Sequence, residues 1–318
     1  MFSVWWDSFF LNVLVFVLAV VMDRLLPEFP AKLHPVVWIG CATNAVGRAA
    51  PQRPVLAFLF GCLITVMVVA SSGGLAFLMV ISLVHVHPVA YVLGGAVLLR
   101  ITFTVRGLLV AAGQTRQALD EGRLDVARAS LSSLVSRDPT SLTAPLVAAS
   151  AIESVAENTT DSYVGPWLAF GLLGLPGAVV YRAINTLDSM LGYRGDYEYL
   201  GKAAARLDDA VNLIPARVSA VLLMVSGSFS RLPARHAWQV MLRDRGLTAS
   251  PNAGLTMGAM AGLLGVRLEK PGHYCLGKGL REPQAEDIGR AVRVAEGVAL
   301  LASAVVPGLL IIRYSLIG

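Results

Sequence analysis

The chain holds 318 residues, 55% of them hydrophobic and 15% charged, with a formal net charge of +5. Soluble domains carry about 25% charged residues, so the composition argues against an ordinary water-soluble fold. The positive excess is too diffuse for nucleic acid and fits anionic lipid headgroups or an anionic substrate.

Residues 1–22 are expected to form a first membrane helix, with Trp5 and Trp6 in the interfacial belt and Asp23–Arg24 ending it. No Lys or Arg precedes this stretch and no small-residue cleavage site follows Val21, so it is expected to stay as an anchor. Residues 25–54 contain Pro27, Pro30, Pro35, Pro51 and Pro54, so part of this segment is non-helical. Residues 55–99 contain no Asp, Glu, Lys or Arg. Two spans of about 20 residues fit there. They are expected as a hairpin turning near Ser71–Gly74, with a second break at His85-Val-His87-Pro88.

Apolar residues at helical spacing from Ala118 to Leu134 predict amphipathic helices over 101–136, separated near Gly122. Arg137-Asp138-Pro139 closes that region, and a further helix is expected over about 143–159. Residues 164–181 are uncharged, but Gly165-Pro166 and Leu175-Pro176-Gly177 leave two solutions, a crossing or a broken, re-entrant element. Apolar runs follow at 218–230 and 297–312. Between them, 231–293 holds ten basic and five acidic residues and is the best candidate for a cytoplasmic region. Cys41, Cys62 and Cys275 lack metal-site or redox-pair spacing and read as free thiols.

The expectation is an all-α, polytopic helical integral membrane protein. It has about five or six hydrophobic segments and amphipathic cytoplasmic helices, in a single membrane-embedded domain over 1–318. A helical loop region falls at about 100–163 and a polar C-terminal loop at about 231–293.

Ionisable groups beside a bilayer are costly, which makes those between Glu153 and Arg217 functional candidates. Glu153, Glu157 and Asp161 recur every fourth residue, spanning about 80° of arc on a helix, with Asn158 beside them. Such a face suits Mg²⁺, which bridges carboxylates to phosphates, or a solvated helix end paired with arginines. Asp188, Asp208 and Asp209 interleave with Arg182, Arg194, Lys202, Arg206 and Arg217, as structural ion pairs or as a site for a phosphorylated substrate. Asn212 and Asn252 offer hydrogen bonds to either arrangement. His34-Pro35 marks a rigid turn that presents an imidazole or serves structure alone. His85 and His87 are two apart and point away from each other on a helix. Ser250-Pro251-Asn252-Ala253-Gly254 precedes a small-residue helix whose N-terminus suits a phosphate, or is an ordinary helix start. There is no Walker-type, GxGxxG, HExxH or GxSxG motif.

Taken in order, these motifs resemble the adenosylcobinamide-phosphate synthases of cobalamin biosynthesis, the CbiB or CobD-type proteins. The resemblance rests on Asp23 with His34-Pro35-Val36, Arg137-Asp138, AIESVAEN with Asp161, LPGAVVYRAINTLDSMLGYR, ARLDDAVNLIPAR, and SPNAG with AMAGLLGVRL. It covers nearly the whole chain. Two departures fall in the C-terminal loop. Leu255-Thr256-Met257 stands where the family commonly has an aromatic and an acid, and Glu269-Lys270 where it commonly has Gly-Gly.

The resemblance implies a multi-pass enzyme of the bacterial inner membrane. It would use ATP and Mg²⁺ to join adenosylcobyric acid to (R)-1-amino-2-propanol or its O-phosphate, beside other late-pathway membrane enzymes. It further implies Glu153, Glu157, Asn158, Asp161, Asp188 and Asp208 around the metal. Arg137, Arg182, Asn185, Arg206, Arg217, Asn212, Ser250 and Asn252 would bind ATP or substrate phosphates, with Asp209 or His34 as the base for the amine. The rival readings are a non-catalytic membrane sensor and a transporter; a transporter would show pseudo-symmetric halves, and no internal repeat is evident.

Overall fold

The computed structural model describes residues 9–28, 40, 43, 50–135, 138–191 and 198–317. In chain order the helices are α1 (Phe9–Leu25), α2 (Pro54–Val86), α3 (Pro88–Arg100), α4 (Arg106–Asp120), α5 (Leu124–Leu131) and α6 (Ala144–Thr159). A π-turn over Thr160–Val164 leads to α7 (Gly165–Leu191), α8 (Glu198–Val211), α9 (Leu213–Phe229), α10 (Ala234–Asp244) and α11 (Ala253–Leu264). The strands β1 (Leu268–Lys270) and β2 (Tyr274–Leu276) form an antiparallel hairpin ahead of α12 (Ala285–Ile317). The chain forms two compact units. One comprises Met1–Thr104, Gly165–Val211 and Ala304–Gly318, the other Val105–Val164 and Asn212–Ser303.

In the first unit α2 packs on α7 and α8, and α3 on α1. Ile64, Leu187, Leu191, Leu200 and Ala204 make its buried cluster. Trp167 receives Phe16 and Phe103 edge-on, with ring centroids 5.2 and 5.3 Å away. The Tyr91 hydroxyl donates to Asn12 Oδ1 at 2.9 Å, which satisfies two buried polar groups between α1 and α3.

The expected hairpin at Ser71–Gly74 is not there, because α2 runs unbroken through it. The Ser71 hydroxyl returns to the Val68 carbonyl at 3.2 Å within the helix. A Cβ on Gly73 would lie 2.9 Å from Val180 Cγ2, so this small-residue stretch serves close helix packing rather than a turn. The break falls instead at His87, extended at φ −175° and ψ 147°, ahead of Pro88. Proline disfavours helix at the residue before it and fits the first turn of the next one. In α7 the backbone leaves helical geometry at Gly174 (φ 72°, ψ −164°), two residues before Pro176. The Leu175-Pro176-Gly177 signal thus marks a real interruption. A Cβ at Gly174 would lie 2.8 Å from the guanidinium of Arg313, the residue that follows the last apolar run.

In the second unit α11 is buried along its whole length beneath α6, α9 and α10. Gly122 separates α4 from α5 at φ 70°, as the sequence predicts. Tyr163 donates to the Ala295 carbonyl at 2.9 Å and Ser226 to that of Val294 at 2.8 Å, tying the π-turn and α9 to the first half of α12.

The segment 231–293 is not the polar loop expected from its charge. It contains α10, a wholly buried α11 and the hairpin. Its alanines, glycines and methionines form α11, the small-residue helix expected after Ser250-Pro251-Asn252-Ala253-Gly254, and every residue of it is buried. The strands were missed because three residues each are too short to show a period of two.

Among the described residues three helical stretches are long and apolar enough to cross a membrane, Pro54–Val86, Ala144–Leu191 and Ala285–Ser315. There are four if α8 and α9 count as one bent span. α3 and α11 are shorter apolar helices, so the hydrophobic segments outnumber the helices of spanning length. The fold is that of a nearly all-helical membrane protein.

Candidate functional site

Each unit has a cleft lined by charged side chains. In the second unit the cleft lies along α6. Ser150, Glu153, Ser154 and Glu157 line it from α6, Leu134 and Val135 from the segment after α5, and Lys270 and Tyr274 from the hairpin. Its volume is about 110 Å³. Residues three and four apart share a helix face, which is why two carboxylates and two hydroxyls of α6 meet there. Glu153 and Ser154 are buried, and Glu157 is exposed at the mouth. Ser154 donates to the Leu134 carbonyl at 2.8 Å, closing the floor. The Asn158 amide donates to Ser154 at 3.0 Å and its oxygen accepts from Ser162 at 3.1 Å, so Asn158 braces this face.

β1 presents alternate residues to opposite sides. Lys270 enters this cleft while Glu269 enters a neighbouring one of about 240 Å³. There Arg267 pairs with Glu282 at 2.6 Å and Glu269 at 3.4 Å. Asp244 at the end of α10 fixes the hairpin. Its buried carboxylate accepts the Gly277 amide at 2.7 Å and the Arg243 guanidinium at 2.6 and 2.8 Å. Those arginine hydrogen bonds, more than the Gly277 amide, hold the Asp244 carboxyl below the ordinary carboxylate range. Burial pushes the Cys275 thiol up. Cys62 and Cys275 are free thiols, and Cys41 lies outside the described residues.

In the first unit a cleft of about 120 Å³ is lined by Asp23 of α1, Glu28, Arg100 of α3, Ile101, Phe103, Thr104 and Arg182 of α7. Asp23 and Arg100 are buried. Arg100 donates to the Leu26 and Pro27 carbonyls at 3.1 and 2.6 Å, which anchors the chain leaving α1. Thr104 donates to Glu28 at 2.9 Å. The Arg182 guanidinium reaches Asn185 Oδ1 at 3.4 Å.

The candidates read from sequence divide between the units. Arg182, Asn185, Asp188, Arg206, Asp208 and Asp209 belong to the first. Glu153, Glu157, Asn158, Asp161, Asn212, Arg217, Ser250 and Asn252 belong to the second. His34, Arg137, Arg194, Trp5 and Trp6 lie outside the described residues.

Glu153 and Glu157 meet as spacing predicts, whereas Asp161 falls in the π-turn and does not line the cleft. Asp188 is half-buried on α7, and Asp208 and Asp209 half-buried on α8, with Arg206 exposed. Arg217 returns to the Leu213 carbonyl of its own helix at 2.6 Å. Ser250 and Asn252 sit at the start of α11, with the Asn252 amide 3.3 Å from the Ser250 hydroxyl. Among the described residues no three His, Cys, Asp or Glu side chains gather into a metal-holding group.

Sequence reasoning passed over Glu28, Arg100 and Tyr274, and met Lys270 only as a departure from the family pattern. Arg100 carried a signal, because it is the first charge after the uncharged run 55–99.

These features define a helical membrane protein with charged clefts in two folded units. The chain belongs to the CobD/Cbib protein family, whose sequence pattern matches residues 16–296. It is similar to the cobalamin biosynthesis protein CobD of Dehalococcoides mccartyi, 41% identical over 84% of this chain and 87% of the relative. It also resembles the probable cobalamin biosynthesis proteins CobD of two archaea. Methanothermobacter thermautotrophicus is 37% identical over 95% of this chain and 99% of the relative. Thermococcus kodakarensis is 41% identical over 88% and 89%. No solved structure matches it significantly.

Proposed function

We propose that the protein is an adenosylcobinamide-phosphate synthase. It would join the free carboxyl of adenosylcobyric acid to (R)-1-amino-2-propanol or its O-phosphate at the expense of ATP, at the cytoplasmic membrane. The observation that carries this is the pair Glu153 and Glu157 sharing one cleft with Lys270 and Tyr274, in a chain of the cobalamin-biosynthesis family.

A carboxylate acylates poorly, so phosphoryl transfer from ATP must activate it before the amine attacks. Such transfer depends on positioning and charge balance more than on covalent help from the protein. Two carboxylates on one helix face fit Mg²⁺, which takes one or two protein carboxylates and completes its shell with water and phosphate oxygens. The absence of a third carboxylate in this cleft is compatible with that chemistry. Bound there, the ion would neutralise phosphate charge.

Glu153, from its buried position, and Glu157, at the mouth, would hold it, and Asn158 would keep their face of α6 rigid. Lys270 would meet a phosphate from the opposite wall. The other acidic candidates lie outside this cleft, Asp161 in the π-turn and Asp188 and Asp208 in the first unit. Within the second unit, Asn212, Arg217, Ser250 and Asn252 would be the further phosphate and substrate contacts. In the first unit, Arg182 with Asp23 and Glu28 offers both signs of charge to a small amine or its phosphate. Asp209 or His34 would take the proton the amine must lose.

The test is ATP consumption by purified protein in detergent or liposomes. It should require both the corrinoid acid and the aminopropanol substrate. Glu157→Gln should lower amide formation about 100-fold or more while the protein remains folded in membranes. Near wild-type turnover in that variant would remove the metal role, and ATP consumption indifferent to either substrate would remove the ligase reading.

A further inference from the structure

The helix α10 and its flanks form a surface that the ligase reading does not use. α10 buries Ala237, Val240, Met241 and Asp244. Its outward half carries Trp238, Leu242, Arg235, Gln239 and Arg243. At about 100° per residue these follow one another around the helix in that order, from an aromatic and apolar edge to a cationic one.

Trp238 is 48% exposed and Leu242 44%. Just before α10, Phe229 is 80% exposed, the end of an outward stripe on α9 formed with Ile214, Val221 and Val225. Arg231, Arg235 and Arg245 are exposed and join no ion pair among the described residues. The one acid in this stretch, Asp244, is turned inward and held by Arg243 and Gly277.

We propose that this face rests on anionic phospholipid headgroups, with Trp238 and Leu242 at the acyl boundary and Arg231, Arg235 and Arg245 on lipid phosphates. Three observations favour that occupant. The indole and leucine share the outward half of α10 with Arg235, and Arg231 and Arg245 flank the helix at its two ends, an arrangement that suits a helix lying in the interface plane. The outward apolar stripe of α9 ends at Phe229, one short turn before α10 begins, and α9 belongs to a stretch apolar enough to count toward a span. The unpaired guanidiniums match a negative surface, where each adds attraction within a Debye length. A soluble protein partner would have to cover an outward stripe along the whole of α9 as well.

The test uses the full-length chain in liposomes containing shallowly brominated phosphatidylcholine, with and without about 30% phosphatidylglycerol. The emission lost in Trp238→Phe isolates this indole from Trp5, Trp6, Trp38 and Trp167. Bromine should quench that difference emission at least twofold. The quenching should deepen with phosphatidylglycerol, and Arg231→Gln, Arg235→Gln and Arg245→Gln together should cancel the deepening. Leu242→Trp gives the same readout one turn away and should be quenched likewise.

Emission that iodide reaches and bromine does not would overturn the proposal. Quenching equal in neutral and anionic bilayers would also overturn it. Shielding from both quenchers would do so too, and would hand the face to a protein partner. The readout is independent of turnover, so it stands or falls apart from the ligase reading.

Discussion

Two apolar helices of this protein look alike in sequence and live in different solvents. α2 spans 33 residues, and only Ala57, Gly61, Ile64, Thr65, Ala76 and Val80 are buried. Val55, Leu59, Leu63, Val66, Met67, Leu75 and Leu78 all point outward from it, each more than half exposed. α11 spans 12 residues, and every one is buried. Hydropathy registers both as apolar, but only α2 leaves its side chains for lipid to cover. With 12 residues α11 falls well short of the about 20 a bilayer needs, and its hydrophobicity is absorbed by α6, α9 and α10. An apolar run therefore reports what must be hidden from water; length and residue size decide whether lipid or protein hides it.

The largest effect that would break this comparison is expected at Gly262 of α11. A Cβ there would lie 2.5 Å from Ala237 Cα, a backbone atom of α10 that cannot rotate aside. Gly262→Val should cost about 3 kcal/mol or more through overpacking and separate α10 from α11. Folded yield in detergent and thermal unfolding followed by circular dichroism would measure it. A variant as stable as the parent would mean that these helices are not in close contact.

Next comes Asp244, the buried carboxylate that ties α10 to the hairpin. Asp244→Ala removes charge-assisted hydrogen bonds and leaves the Gly277 amide without its acceptor, at a cost of about 2 kcal/mol. Its carboxyl is depressed below the ordinary value of 3.8, so the stabilisation it gives is complete above that value and is lost as pH falls through the depressed one. The melting temperature should therefore drop below about pH 4, and Asp244→Asn should flatten that slope. An acid limb unchanged in Asp244→Asn would assign it to other carboxylates. Because the hairpin carries Lys270 and Tyr274, the proposed ligase reading expects Asp244→Asn also to weaken amide formation, read as a rise in the ATP KM.

Much of the fold was legible because its signals are local. Pro88 after His87 ends α2, Gly122 divides α4 from α5, and Pro176 with its neighbouring glycines marks the interruption of α7. Glu153 and Glu157 were legible as one face because a single helix carries both. Failures came where a partner decides the outcome. Ser71–Gly74 reads as a turn until Val180 is seen against Gly73. The 231–293 segment reads as a polar loop because its ten basic residues outweigh the small-residue helix after Gly254, whose burial depends on α6, α9 and α10 packing over it. Asp161 shares the phase of Glu153 only if the helix stays α-helical, and the π-turn beginning at Thr160 changes that phase. Lys270 and Tyr274 face α6 from more than a hundred residues away, a distance at which periodicity carries no information.

The smallest effect sharpens the comparison from the lipid side. Gly74 sits one residue from the tightly packed Gly73, yet a Cβ placed on it would meet nothing within 4 Å. Helical glycine carries extra backbone entropy in the unfolded chain, so Gly74→Ala should leave stability unchanged or raise it by about 0.5–1 kcal/mol. Gly73→Leu, one position away, must displace Val180 and should destabilise the α2–α7 contact. The pair can be compared in one detergent by thermal unfolding. Equal losses in both would mean that Gly74 also faces protein, and that α2 is no more open to lipid than α11. A gain at Gly74 beside a loss at Gly73 would place the boundary between packed and lipid-facing surface between two adjacent glycines, a resolution that hydropathy averaging cannot reach.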